Sequence, residues 1–415
     1  MAYDDVGAAR FPPAGPGPVP GVVPGTVPAA PLSQVRPRLA EGDLGMQIVL
    51  SRLLLVSGLV FIHYGAFPGE VLNHFQAFDR TGVPAASFVA SAILYFFFAA
   101  VPVMSLISGW LFFRPRDPAA RQPGLAGLVE PGLTSAMLRR ARTLLVPLLL
   151  WNALALGVGI LAWQLGAGAW ARQVLALDVA EASPLQWLNA LLGLTRTPAA
   201  LQFWFVRDLL VSVALAPLVL PLLRHAPWVL VPFALVWMSG IELGIFLRAD
   251  VPLFFFLGGV LRLHGMPGWL ERVPVVPMLA AYTGLVLLRT SAPAVLDELD
   301  PTVDFWLDAA TCCLRVIGVV TCWKLLGLLA AHRSGAVLAG RYGAFAFFIF
   351  AGHYPLVEAV KVPLAAMLPT YGQGWLLLHF GLSVAVTVAI CVGAAALLSR
   401  AWPAAFQVLN GGRGA

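Results

Sequence analysis

Charged side chains are scarce: Asp, Glu, Lys and Arg make up 11% of the 415 residues, against about 25% in a soluble globular domain. So little charge cannot cover a water-soluble enzyme of this length, and a disordered chain would need more charge and less hydrophobicity. Cysteine is nearly absent. Cys312, Cys313, Cys322 and Cys391 all lie in apolar stretches, without a C-x-x-C pair or a histidine at zinc-ligand spacing. They read as small apolar packing residues. No fixed period links the 40 glycines and 33 prolines, which excludes a fibrous chain, and many sit inside apolar runs where membrane helices tolerate them. Apolar residues fill the rest, 60% of the chain, with a mean hydropathy of +0.85. At roughly 20 residues per crossing, ten crossings would take about half the sequence. An all-α, polytopic membrane helical bundle is expected.

The formal charge of +6 is concentrated in particular loops, which reads as positive-inside orientation and not as a nucleic-acid partner. Residues 1–44 include PPAGPGPVPGVVPG and then Arg36 and Arg38; they have no periodicity and predict a disordered cytoplasmic tail. They lack the basic start and apolar core of a signal peptide, so the first apolar run is expected to anchor uncleaved. Residues 45–401 would form the membrane domain and 402–415 a short tail. Ten spans are expected near 47–67, 86–113, 138–165, 203–223, 227–247, 251–264, 274–290, 305–330, 342–366 and 373–400. The sixth, VPLFFFLGGVLRLHG, also has the length of a re-entrant or buried segment.

Loop charge favours ten. Arg114, Arg116, Arg121, Arg139, Arg140 and Arg142, set against Asp117 and Glu130, then share the side of Arg36 and Arg38, while Asp297, Glu298, Asp300 and Asp304 face the other way. Both termini are cytoplasmic in this reading.

An ionisable side chain inside a span costs roughly 2.5–3.5 kcal/mol on insertion scales and needs a reason. The first span contains Arg52 and His63. Eleven residues are about three helical turns, so both project from nearly one face, roughly 16 Å apart. That suits one long ligand with an anion at Arg52 and a reactive end at His63, as in a coenzyme A thioester. A snorkelling arginine and a hydrogen-bonded core histidine would give the same spacing.

The neighbouring motifs weigh on that choice. Span 2 ends with Pro102 and Ser108-Gly109-Trp110, and span 3 opens with Arg139-Arg140-Ala141-Arg142 ahead of Pro147. Span 4 opens with Trp204, Arg207 and Asp208, and span 9 holds His353 and Pro355. From about residue 46 to 400 the chain resembles the transmembrane acyltransferase-3 family, which is marked by R-x10-H in its first helix and R-x-x-R at the start of its third. Arg52 and His63 match the first motif, Arg139 and Arg142 the second. The resemblance implies transfer of an acyl group, acetyl foremost, from cytoplasmic acyl-CoA as co-substrate to a hydroxyl of an extracytoplasmic or lipid-linked glycan. No fused hydrolase-like domain follows, which leaves the acceptor to the membrane domain. In this reading His63 is catalytic, as base or as covalent acyl carrier. Arg52, Arg139 and Arg142 hold the donor phosphates, since guanidinium forks match phosphate oxygens.

Other polar residues have two readings each. Arg207 and Asp208, about 100° apart on a helix, are expected to reach different neighbours; Asp208 would orient a histidine, bind an acceptor, or form an interhelix ion pair. Glu242, some 15 residues into an apolar run, is either functional or a protonated core residue. His353 lines the site or packs, and Trp204 would lie near it. Glu358 and Lys361 are expected to pair locally, and His74, His225, His264, His332 and His379 to be structural or solvated. No metal and no permanently bound cofactor is expected. The rival classes are a secondary transporter of a lipid-linked sugar or anion and a non-catalytic assembly factor for polysaccharide.

Overall fold

In hydrocarbon every backbone N–H and C=O must be satisfied within the chain, and long apolar runs meet that demand as helices. The computed structural model describes residues 41–69, 82–114, 132–297, 300–369 and 371–413, and no strand occurs among them. Arg36, Arg38, His74, Arg116, Asp117, Arg121, Glu130 and Glu298 lie outside the described residues. The helices are α1 (Glu41–Ile62), α2 (Pro84–Phe97), α3 (Ala100–Phe112), α4 (Leu133–Gln164), α5 (Gly168–Leu175), α6 (Pro184–Leu192), α7 (Trp204–His225) and α8 (Leu230–Met238). They continue as α9 (Asp250–His264), α10 (Gly268–Arg272), α11 (Val275–Ser291), α12 (Pro301–Ala331), α13 (Arg333–Tyr342), α14 (Ala346–Met367), α15 (Gln373–Ala401) and α16 (Pro403–Leu409). Among the described residues, eight helical stretches are long and apolar enough to cross a membrane. The protein is an all-α polytopic membrane bundle.

The fifth expected span ends early, while the sixth matches α9 within one residue. α8 stops at Met238, because Gly240 and Gly244 take positive φ, 73° and 71°, which ends a helix. Glu242 therefore sits exposed on an irregular stretch and not in a helical core. α9 has only 15 residues. The pair still carries the chain along the bundle and back. Asp208, near the start of α7, accepts hydrogen bonds from the Leu247 and Arg248 amides just before α9. The His264 imidazole at the end of α9 bonds the Leu223 carbonyl at the end of α7. The loops flanking α11 and α12 keep their sides whether both short helices count as crossings or neither does.

Small residues set the centre. Gly109 of α3 backs onto the Phe255 carbonyl of α9, and Gly258 of α9 onto the Leu106 carbonyl of α3; neither position has room for a Cβ. Membrane helices approach this closely only through such residues. Gly258→Val is expected to overpack this crossing by roughly 1–3 kcal/mol and to lower the unfolding midpoint of the purified protein by several degrees. Gly284→Ala, where a Cβ meets nothing within 4 Å, should leave it unchanged; equal midpoints for the two variants would refute the tight crossing. The break between α2 and α3 has a local cause. Pro102 gives the Phe98 carbonyl no helical donor, and the buried Tyr282 hydroxyl donates to the neighbouring Phe96 carbonyl at 2.6 Å.

Candidate active site

Arg52 and His63 stand on α1 as the helical period requires, His63 in the turn that closes the helix, its amide bonded to the Leu59 carbonyl at 3.1 Å. Each then meets a different set of neighbours.

At the His63 end, His63 Nδ1 lies 2.8 Å from His353 Nε2, with the two rings stacked at 4.9 Å. His353 is fully buried, and its Nδ1 lies 3.2 Å from the Ile349 carbonyl. A carbonyl only accepts, so the network assigns the His353 proton to Nδ1 and leaves Nε2 as an acceptor. His63 must then donate from Nδ1, and its Nε2 keeps a lone pair. His63 itself is only partly buried.

The local sequence of α14 holds His353 there. Pro355 has no N–H, so the Ala351 carbonyl loses its helical partner, and Tyr354 leaves helical geometry at φ −119°, ψ 130°. The buried Gln202 amide bridges the break, donating to the Ala351 carbonyl at 2.6 Å and the Tyr354 carbonyl at 3.0 Å. The Tyr354 hydroxyl donates to the Val174 carbonyl at 3.1 Å, and its ring stands 6.3 Å from His63.

A second network adjoins this one. Tyr64 and His379 Nδ1 are 2.7 Å apart, His379 Nε2 bonds the Lys361 carbonyl at 3.2 Å, and Lys361 Nζ donates to the Tyr64 carbonyl at 2.6 Å. Glu358 pairs with Lys361 at 3.3 Å, the local i, i+3 pair expected from sequence. His379, expected to be structural or solvated, is structural: it is buried in α15 with both ring nitrogens bonded.

Arg207 and Asp208 depart from expectation. They do pair, Nη1 to Oδ1 at 2.7 Å, because Arg207 sits in the first turn of α7 and its long side chain folds back over the helix start. Its remaining donors reach the Gly193, Leu194 and Ile245 carbonyls. Asp208 accepts from the Leu247 and Arg248 amides, so its partners are a backbone loop and Arg207, not a histidine. Together the two residues pin the loops beside Trp204, over whose ring the Arg248 guanidinium stands at 5.4 Å. Arg248 and the buried Arg315–Asp250 pair, at 3.3 Å, were missed from sequence. Arg315 could have been found as a charge deep in an apolar run.

At the Arg52 end lies a cavity of about 380 Å³ lined by Arg52, Arg140, Arg413, Ser108, Phe205 and Phe350, among others, with no carboxylate among the described residues. Its volume is within the range of small-molecule sites. Its wall at Phe350 stands 6.2 Å, ring to ring, from His353. The R-x-x-R residues are not in this lining: Arg139 and Arg142 are exposed and Arg140 turns inward. The reason is registry. Ala136, Leu144 and Leu148 form the buried stripe of α4, and Arg140 falls on it at four-residue spacing. Arg413, in the stretch expected as a short tail, joins the lining. Burial first, then the charges of Arg52 and Arg140, pull the Arg413 pKa down to about 9. A guanidinium keeps its proton at neutral pH even so, and three cations face one another. Among the described residues no three His, Cys, Asp or Glu converge as metal ligands would.

A family model described as "Acyltransferase domain" matches residues 48–396. The "Succinoglycan biosynthesis protein ExoH" of Rhizobium meliloti (strain 1021) is 29% identical over 384 residues, covering 90% of this chain and 94% of its own length. No solved structure matches.

Proposed function

Because the chain belongs to the acyltransferase-3 family of integral membrane proteins, we propose that it moves an acyl group from cytoplasmic acyl-CoA to a glycan hydroxyl. Acetyl-CoA is the first donor to test, and the acceptor is a polysaccharide or its lipid-linked precursor outside the cytoplasmic membrane of a bacterium. Family membership supports acyl transfer over transport or passive assembly. The name of the Rhizobium relative supports a polysaccharide acceptor.

One observation carries the mechanism: the bond of His63 Nδ1 to His353 Nε2, which leaves His63 Nε2 free to accept a proton. In the proposed step His63 Nε2 takes the proton of the acceptor hydroxyl as its oxygen attacks the thioester carbonyl. The tetrahedral intermediate collapses, the C–S bond breaks, and His63 returns the proton to the departing sulfur. His353 is a positioning residue that holds the imidazole in the required tautomer. Arg52 and Arg140 face the anionic end of the donor, where planar forks suit phosphate oxygens. A covalent variant puts the acyl group on His63 Nε2 first.

The test compares surface glycans by mass spectrometry in cells with the gene, without it, and with His63→Ala. The acyl mass increment should appear only with the intact gene. Identical glycans in all three would sink the reading. Acyl-CoA supplied to the purified protein without acceptor should leave labelled protein only if His63 is a carrier.

A further inference from the structure

The residues after α15 do not trail away; they return to the cavity. Phe406 is buried on Phe345 and Phe348. Trp151 of α4 donates its indole N–H to the Leu409 carbonyl at 3.1 Å, and the fully buried Asn410 donates to the Ala344 carbonyl at 3.0 Å. Gly411 and Gly412 follow with φ of 66° and 72°, a left-handed pair that turns the chain inward.

Gly411 fits where only glycine fits. Its Cα faces the Thr143 carbonyl, and a Cβ there would come within 2.5 Å of that oxygen. Thr143 is the residue whose helical donor Pro147 lacks, so sequence places a free carbonyl on α4 just where this segment docks. The turn delivers Arg413. Its guanidinium lies over the Phe347 ring at 4.3 Å, and Nη1 bonds the Asn410 carbonyl at 3.1 Å. Among the described residues no carboxylate pairs with Arg52, Arg140 or Arg413.

We propose that residues 403–413 are a strap that completes the donor site, with Arg413 as the third guanidinium of a clamp for a phosphate or pyrophosphate group. This rests on the reading of the cavity as the donor site. Three charges and no acid call for an anion bearing more than one negative charge. A guanidinium fixed beforehand by stacking and by its own turn loses little freedom on binding.

The experiment measures the affinity of the purified full chain for CoA, and separately its thermal stabilisation by inorganic pyrophosphate. Arg413→Ala is expected to weaken CoA binding roughly tenfold or more, and Arg413→Lys to recover only part. Gly411→Ala, which displaces the turn but leaves Arg413 in the sequence, should act like Arg413→Ala. Arg272→Ala, an exposed arginine outside the cavity, should change neither readout. The Lys variant serves if the Ala variant fails to fold. CoA binding that depends on Arg52 and Arg140 but not on Arg413 overturns the strap and leaves the donor reading standing. No CoA binding, with Arg413-dependent stabilisation by pyrophosphate, keeps the clamp and removes the donor reading. Indifference of both readouts to Arg413 overturns the proposal.

Discussion

His63→Ala is expected to abolish acyl transfer while leaving CoA affinity within about twofold of wild type. A positioned base contributes roughly 10²–10⁴ in rate, and His63 is not part of the arginine-lined cavity. His353→Ala should act through the same nitrogen: kcat falls by roughly tenfold to hundredfold, the scale for partners that orient a histidine, with KM little changed. His353→Gln should restore part of the loss, because its amide oxygen can accept from His63 Nδ1. In the double variant the second change should add almost nothing, since residues acting as a unit are not additive. A His63→Ala protein that turns over normally would falsify the mechanism. Unequal KM values with equal kcat for His353→Ala would make that residue a packing element only.

The second large effect is in donor binding. Arg140→Ala and Arg52→Ala should each weaken CoA roughly tenfold or more, since a hydrogen bond to a charged group is worth about 1.5–3 kcal/mol, and the double variant should lose at least about a hundredfold. Arg139→Ala and Arg142→Ala should stay within about twofold, because both side chains are exposed and act only through screened charge. Affinities at fixed ionic strength decide it. Similar losses at Arg139 and Arg140 would point to diffuse attraction, and loss at Arg139 and Arg142 alone would restore the motif reading.

The reach from Arg52 to His63 was legible because helix geometry alone fixes it, and the fold class followed from apolar run length. Arg140 was also legible, since Ala136, Arg140, Leu144 and Leu148 repeat every four residues, although the R-x-x-R motif flanks it. Apolar content continues past Gly240 and Gly244 and so carries the fifth expected span to residue 247, whereas positive φ at both glycines stops the helix. The helical angle alone separates Arg207 from Asp208, whereas an arginine at a helix start can fold back. The contact between His63 and His353 spans 290 residues, and no local pattern announces such a pairing. Arg413 hid behind two glycines that read as a loose end and act as a turn.

The short α9 has a bearing on transport of the reactants. Fifteen residues make a rod of about 22 Å, against a hydrocarbon layer of about 30 Å, and it is packed between α3 and α7, away from lipid. At that helix the protein wall is shorter than the layer it stands in. On the proposed function, a polyanion entering from one face and a sugar approaching from the other would be separated by a septum and not by a full bilayer, and the reaction would join them with neither substrate immersed in oil.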